Sequence, residues 1–251
     1  MNSMIYSILS VNDSSEKLNT LLCGMKGISG VGLSSVSFNN ISAIVGDINR
    51  SELIADKFNA IEYAGVIETL AQKFTLLPMR YGSIMESKEA ICKMLAANYV
   101  NLEQNLQKVE NKIEFGLKVF CDSEKLMAKY KALPDSETKT ILNTGNEIKN
   151  SVYKDWVNRK LKDHRIEELL LAHINSIIKE IEGYLTSLNG VFKFKKMITA
   201  TNIIDAVILL EKDKKDTLIN TVRGLQNVYP DSHILLTGPW PPYNFVDIII
   251  K

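Results

Sequence analysis

The side chains that most often act as nucleophiles or metal ligands are scarce in this sequence, which contains three histidines and three cysteines. The histidines are His164, His173 and His233, and the cysteines are Cys23, Cys92 and Cys121. None of them has a partner at the spacing of a C-x-x-C or H-x-x-x-H ligand pair, so the sequence predicts no metal site. An odd number of widely spaced cysteines is typical of reduced, buried thiols in a cytosol.

Four glycines at positions 24, 27, 30 and 32 could suggest a phosphate-binding loop. A Walker loop ends in Gly-Lys-Ser/Thr, however, and a dinucleotide fingerprint is followed by a helix, whereas here the strand-like run Val31 to Phe38 follows. The glycines are therefore predicted to form a turn. There is also no G-x-S-x-G nucleophile elbow. We expect no catalytic residues and no cofactor, and hence a protein that is not an enzyme.

Composition excludes several classes of protein. The chain has 251 residues, of which 45% are apolar and 24% charged, and its net charge is +1. This is too apolar for a disordered chain and too neutral to attract nucleic acid or an acidic membrane. The apolar run Met4 to Val11 is far shorter than the ~20 residues that span a bilayer. We therefore expect a soluble cytoplasmic protein.

The elements of the first half follow from apolar periodicity. The pattern predicts a strand at Met4 to Val11, a helix from Ser14 or Ser15 to Leu22, a hairpin whose strands Val31 to Phe38 and Ile41 to Ile48 join at Asn39-Asn40, and a helix over about 51–74. Apolar residues then recur every three or four positions from Ile91 to Val109, which predicts one long amphipathic helix from Ser87. Because Ile113 begins a period-two pattern, the helix should end near Asn111.

The second half has the order β-α-β-β-α-β. The predicted strands are Ile113 to Phe120, Val191 to Thr199, Ile203 to Glu211 and Ile234 to Thr237, and the helices are Ser123 to Ala132, Glu137 to Leu188 with an interruption near Gly145, and a last one ending at about Val228. This order is that of the ferredoxin-like fold. The predicted class is therefore α+β with two domains. Residues 1–111 form the N-terminal α+β domain, and residues 112–251 form a C-terminal ferredoxin-like domain with a helical arm at about 123–188 and a tail at about 239–251.

Two short segments resemble motifs of one family. Leu77-Pro78-Met79-Arg80-Tyr81-Gly82-Ser83 resembles the Leu-Pro-x-Arg-Phe-Gly-Thr segment of the gas vesicle protein F and L family (GvpF/GvpL). Thr237-Gly238-Pro239-Trp240-Pro241-Pro242-Tyr243-Asn244-Phe245-Val246 resembles that family's Gly-Pro-Trp-Pro-Pro-Tyr-x-Phe ending. One departure is the pair Glu62-Tyr63, where family members often carry a histidine.

The resemblance implies a protein needed to build gas vesicles, the hollow protein shells that give some microbes buoyancy. It implies an accessory or minor shell-associated component without catalytic activity or cofactor. The implied partners are the major gas vesicle shell protein, bound through the N-terminal domain, and other gas vesicle accessory proteins, with no nucleic acid and no membrane. The implied location is the gas vesicle and the cytoplasm.

The motif residues have physical interpretations of their own. Pro78 should end a strand, Gly82 should allow the turn into the next helix, and Ser83 or Ser87 should cap that helix. Arg80 either clamps an internal carbonyl or a carboxylate such as Glu62 or Glu68, or contacts a partner. The candidate structural or interface residues are Pro78, Arg80, Tyr81, Gly82, Gly238, Pro239, Trp240, Pro241, Pro242, Tyr243 and Phe245. Val246 to Ile250 is predicted to pair with the N-terminal domain or with another copy.

An alternative function remains open at this point, namely a ferredoxin-like module that binds a ligand or RNA. The segment Phe192-Lys193-Phe194-Lys195-Lys196 places aromatic side chains beside basic ones on a predicted strand. Alternation along a strand puts the two kinds of side chain on opposite faces, unlike an RNA-binding platform.

Overall fold

The computed structural model describes residues 2–11, 15–49, 56–132, 153–195 and 202–246. The chain divides into two compact units. The first unit comprises Met1–Phe115, Leu209–Lys212 and Gly238–Lys251, and the second comprises Gly116–Ile208 and Asp213–Thr237. From Gly238 onward, the C-terminal motif therefore belongs to the first unit. The domain division after residue 111 stays a prediction.

The elements of the first unit are β1 (Ser3–Ser10), α1 (Ser15–Gly24), β2 (Leu33–Phe38), β3 (Ile41–Asp47), α2 (Lys57–Ala71), β4 (Leu76–Pro78), β5 (Ile84–Met85), α3 (Lys88–Ala97) and α4 (Tyr99–Val109). The strands form a sheet in the order β2-β3-β1-β4, and β5 also pairs with β1. All of these pairs are antiparallel. The predicted hairpin is present, with Asn39 at φ 51° between β2 and β3.

The central strand β1 is buried at every position from Ser3 to Leu9 rather than at alternate ones. Met4, Tyr6 and Leu9 pack in one core with residues of α1 and α2. Ile5 and Ile8 are equally buried but lie outside that core, and α3 and α4 also contact the sheet. Helices therefore cover both faces of this sheet, which explains why β1 is apolar without alternation.

The prediction of one long helix from Ser87 was wrong, because α3 and α4 are separated at Asn98. Asn98 has φ −110° and ψ 10°, and its Nδ2 donates to the carbonyl oxygen of Met94 over 2.8 Å. An asparagine side chain that bonds to the nearby backbone competes with the helical pattern. The predicted end near Asn111 is confirmed, since α4 ends at Val109 and Asn111 adopts φ 54°.

The second sheet contains β6 (Lys112–Cys121), β7 (Val191–Lys195), β8 (Asn202–Glu211) and β9 (Ser232–Trp240). Its helices are α5 (Ser123–Ala132), α6 (Tyr153–Ser187) and α7 (Lys215–Val228). The strand order is β7-β8-β6-β9. Each α-helical crossover thus joins two strands that are separated by a third, which is the split arrangement of the ferredoxin-like fold.

Two predictions for this half concern residues that the structure does not describe. The interruption near Gly145 and the end of the strand predicted to reach Thr199 lie outside them. Asn189, which follows α6, adopts the left-handed conformation with φ 53°. Within the described ranges, no helix combines the length and apolar character needed to cross a bilayer.

The cysteines correct one expectation. Cys121 is buried as predicted, but Cys92 is half-buried and Cys23 is exposed. Cys23 lies in the last turn of α1 on the face away from the core residues Leu18 and Leu22.

Candidate functional site

The first motif runs along the edge of the first sheet and then turns away from it. Leu77 and Pro78 pair with Ile8 and Ser7 of β1, and Pro78 ends β4 as predicted. The amide of Met79 still donates to the carbonyl oxygen of Tyr6 over 3.0 Å. Proline has no N–H to donate to a neighbouring strand. At the last residue of a short edge strand, it therefore costs the sheet no hydrogen bond.

A tight turn follows immediately. The amide of Ser83 donates to the carbonyl oxygen of Arg80 over 3.0 Å, and Gly82 adopts φ 82°, a conformation that favours glycine. The carbonyl oxygen of Ser83 in turn accepts from the amide of Ile5 over 2.8 Å. The helix cap is Ser87, whose hydroxyl accepts from the amide of Ala90. The backbone of the motif is therefore fixed on both sides of Arg80.

Arg80 itself is exposed, and within the described residues its side chain forms no ion pair or hydrogen bond. Glu62, one of the predicted internal partners, accepts from the amide of Ser29 over 3.1 Å instead. The internal clamp therefore has no counterpart in the described part of the chain. The contact to a partner stays a prediction.

Tyr63 is the central residue of the site, although in sequence it stands out only as part of a departure from the family pattern. Its side chain is 5% exposed, and its hydroxyl donates to the carbonyl oxygen of Met79 over 2.6 Å. Its ring stacks on Tyr6 at 5.1 Å and meets Tyr81 edge-on at 5.3 Å. A buried tyrosine with this set of contacts fixes the position of the first motif relative to α2.

The second motif begins at the end of β9 and continues beyond it. Pro241, Pro242 and Phe245 are buried, whereas Trp240 and Tyr243 remain 41% and 40% exposed. This segment turns tightly, since the amide of Tyr243 donates to the carbonyl oxygen of Pro241 over 2.7 Å. The final apolar strand predicted for Val246 to Ile250 falls, beyond Val246, outside the described residues.

Gly238 is required where the second motif passes close to β6. Its φ is 116°, and a Cβ at this position would lie 2.9 Å from the carbonyl oxygen of Glu114 and 3.1 Å from the ring of Phe115. Any other residue would be strained and would also collide with this backbone.

A buried carboxylate holds the second motif. Glu114 of β6 is 2% exposed, and its Oε2 accepts from the amide of Asn244 over 2.8 Å. Its Oε1 accepts from Asn244 Nδ2 over 2.5 Å. A carboxylate out of water requires hydrogen bonds to both oxygens, and Asn244 supplies one to each. Neither residue was singled out from the sequence, although an acidic residue within an otherwise apolar strand is a usable signal.

Tyr63 contacts the first motif directly and is influenced electrostatically by Tyr243 of the second. Burial raises the pKa of Tyr63, and the nearby Tyr243 and Tyr6 raise it further. Burial together with the charges of Glu68 and Glu114 raises the pKa of Tyr243 to about 12. These phenols are protonated at neutral pH, so they act as hydrogen-bond donors and packing surfaces rather than as bases.

The second unit also holds chemistry-bearing residues, though none of the candidate structural or interface residues. Asp231 pairs with Lys125 and Lys129 at 3.4 and 3.3 Å, and the ring of His233 stacks on Phe120. Within the described ranges, no three His, Cys, Asp or Glu side chains are grouped as a metal site would require.

Comparisons with known proteins cover almost the whole chain. Residues 3–247 match the family model described as gas vesicle synthesis protein GvpL/GvpF. Gas vesicle protein F1 of Halobacterium salinarum is 23% identical over 219 residues, which cover 86% of this chain and 82% of that protein. Gas vesicle protein F2 of the same organism is 22% identical over 253 residues, covering 98% and 92%.

Solved structures agree with the fold. The crystal structure of the gas vesicle protein GvpF from Anabaena sp. PCC7120 is similar with a TM-score of 0.77 at 20% identity, covering 99% of both chains. GvpF from Microcystis aeruginosa is similar with a TM-score of 0.74 at 17% identity, covering 98% of this chain and 99% of that one. The predicted α+β class is confirmed.

Proposed function

Because the chain belongs to the gas vesicle synthesis protein GvpL/GvpF family, we propose that it is a non-enzymatic assembly or minor structural component that binds the major gas vesicle shell protein through its first unit. Membership of this family gives the chain a role related to gas vesicles. The identity of the partner and the surface that binds it are what we propose beyond this role.

One observation carries the choice of surface. Two motifs that are far apart in sequence belong to the same compact unit, and Arg80, Tyr81, Trp240 and Tyr243 are wholly or partly exposed there. We call these four side chains the motif surface. Tryptophan, tyrosine and arginine are the residues that most often dominate the free energy of binding between proteins. Their rigid backbone supports this use, since ordered side chains lose less entropy when a partner binds.

The low net charge of the chain fits an apolar partner. At +1, the chain has no strong field to steer a highly charged partner. Binding through aromatic contacts should therefore depend on buried apolar area and only weakly on ionic strength.

The test is co-expression of the tagged chain with the major shell protein, followed by measurement of the amount of shell protein captured per tagged chain. Trp240→Ala and Tyr243→Ala should each lower capture about tenfold, the ratio that truncation of a dominant contact produces. The matched control is Tyr184→Ala, because Tyr184 is 45% exposed on α6 in the second unit. Equal capture by all three variants would exclude the motif surface.

A second measurement separates assembly factor from shell component. If the chain stays with intact vesicles after washing with denaturant, it is a built-in component. If it is recovered only in the soluble fraction, it acts during assembly.

A further inference from the structure

We propose that Arg80 binds a carboxylate of the partner, so that the segment recognised by the motif surface combines apolar side chains with an aspartate or glutamate. This inference rests on the proposed function and specifies the chemistry of its partner.

The backbone around Arg80 is held in place on both sides. Met79 on one side is buried and bonded through its amide to Tyr6 and through its carbonyl oxygen to Tyr63. On the other side, the turn is closed by the hydrogen bond from Ser83 to Arg80, and the ring of Tyr81 rests against Tyr63. The guanidinium therefore extends into solvent from a backbone that cannot easily withdraw it.

Three carboxylates of the first unit have hydrogen-bond donors of their own. Asp56 is the N-cap of α2, and its side chain accepts from the amide of Asn59. Glu62 lies on α2, and its side chain accepts from the amide of Ser29. Glu114 is held by Asn244. Within the described part of the chain, none of these carboxylates neutralises Arg80.

The chemistry of the Arg80 side chain favours a carboxylate. A guanidinium has a planar set of donors that matches both oxygens of a carboxylate, and it is less strongly hydrated than an ammonium group. When a partner covers the exposed guanidinium, the group can lose part of its hydration, which strengthens a pairing that water would otherwise screen.

The experiment is charge reversal in the same co-expression assay. Arg80→Glu should lower capture of the shell protein at least tenfold, and Arg80→Lys should lower it by a smaller factor because the forked geometry is lost. Single changes of every Asp and Glu in the shell protein to Arg are then combined with Arg80→Glu. We expect one of them to restore most of the capture. The matched control is Arg223→Glu, an exposed arginine on α7 in the second unit.

The outcomes distinguish the two proposals. If Trp240→Ala abolishes capture while Arg80→Glu retains it, the carboxylate contact is refuted and the proposed function stands. If no reversed shell residue restores capture, the contact is also refuted. If Arg80→Glu lowers the melting temperature well below that of Arg223→Glu, Arg80 serves the fold and the inference fails. If the unaltered chain captures no shell protein, both proposals fail.

Discussion

Replacing Tyr63 with phenylalanine keeps the ring between Tyr6 and Tyr81 but removes the hydroxyl that donates to the Met79 carbonyl oxygen. We expect a loss of about 1–2 kcal/mol in the free energy of unfolding, because a buried acceptor is left without its donor. Urea denaturation measures this loss. Tyr184→Phe, at an exposed position, should change nothing. An unaltered denaturation midpoint for Tyr63→Phe would mean that the hydroxyl does not hold the motif.

The buried phenols also predict a limit at high pH. Tyr6, Tyr63 and Tyr243 have pKa values raised above 10.0 in the folded chain, that of Tyr243 to about 12. Above pH 10 the unfolded chain loses phenolic protons that the folded chain keeps, so stability that is fully present below pH 10 falls as the pH rises.

The free energy of unfolding should fall by about 1.4 kcal/mol per pH unit for each phenol that stays fully protonated in the folded chain. Denaturation series between pH 9 and 12 measure it. Tyr63→Phe should reduce the slope, and an identical slope in that variant would contradict the assignment.

Ser7 and Ser3 make a matched pair on β1. Both are buried, but Ser3 donates to Asp47 over 3.1 Å, whereas the hydroxyl of Ser7 has no hydrogen-bond partner in the described structure. Ser3→Ala should cost about 0.5–1.5 kcal/mol, and Ser7→Ala should be neutral or stabilising because it removes an unsatisfied polar group. Thermal unfolding of the two variants tests the contrast. The reverse order would mean that Ser7 has a partner the contacts do not reveal.

At the scale of elements, the turn between α1 and β2 depends on close packing against Tyr6. The hydroxyl of Tyr6 accepts from the amide of Ile28 over 2.9 Å, and a Cβ on Gly27 would lie 2.3 Å from it. We expect Gly27→Ala to cost 2 kcal/mol or more, roughly the range of overpacked cores. Gly24→Ala is the control, because a Cβ there meets open space.

The clash predicts coupling between the two residues. Tyr6→Phe alone should cost about 1 kcal/mol for the lost hydrogen bond. In the double variant the Cβ no longer meets the hydroxyl. The double variant should therefore cost less than the sum of the two single changes. Strict additivity in denaturation experiments would show that the turn, not Tyr6, sets the cost at Gly27.

The local apolar pattern predicts most of the helices and strands, because each of these elements depends on residues only a few positions apart. The hairpin at Asn39-Asn40 and the helix end near Asn111 both use asparagine in the left-handed region, a preference visible in the sequence. The break at Asn98 was missed because the apolar stripe continues through it. The roles of Tyr63 and Glu114 could not be predicted, since their partners Met79 and Asn244 are 16 and 130 residues away.

For the whole molecule, the two sheets share one strand order. In β2-β3-β1-β4 and in β7-β8-β6-β9, the first strand of each set lies between the third and the fourth. The first motif contains the end of β4 and continues past it, and the second does the same at β9. Both motifs therefore follow the fourth strand of an equivalent set. The order of elements along the sequence predicts this strand arrangement only for the second half.

The second motif joins the first unit through Asn244, so the C-terminal segment should unfold together with the N-terminal strands. Asn244→Ala removes the side-chain donor to the buried Glu114 carboxylate, and we expect a cost of about 1–3 kcal/mol because a charged acceptor loses a hydrogen bond out of water. Asn220→Ala, at an exposed position on α7, is the control and should be close to neutral. Combined with Glu114→Gln, Asn244→Ala should cost less than the sum of the single changes. Two results would contradict this role of Asn244: additive costs in the double variant, or unchanged protection of Tyr243 from proteolysis in Asn244→Ala. Either would mean that the segment is held to the first unit by its prolines and Phe245 alone.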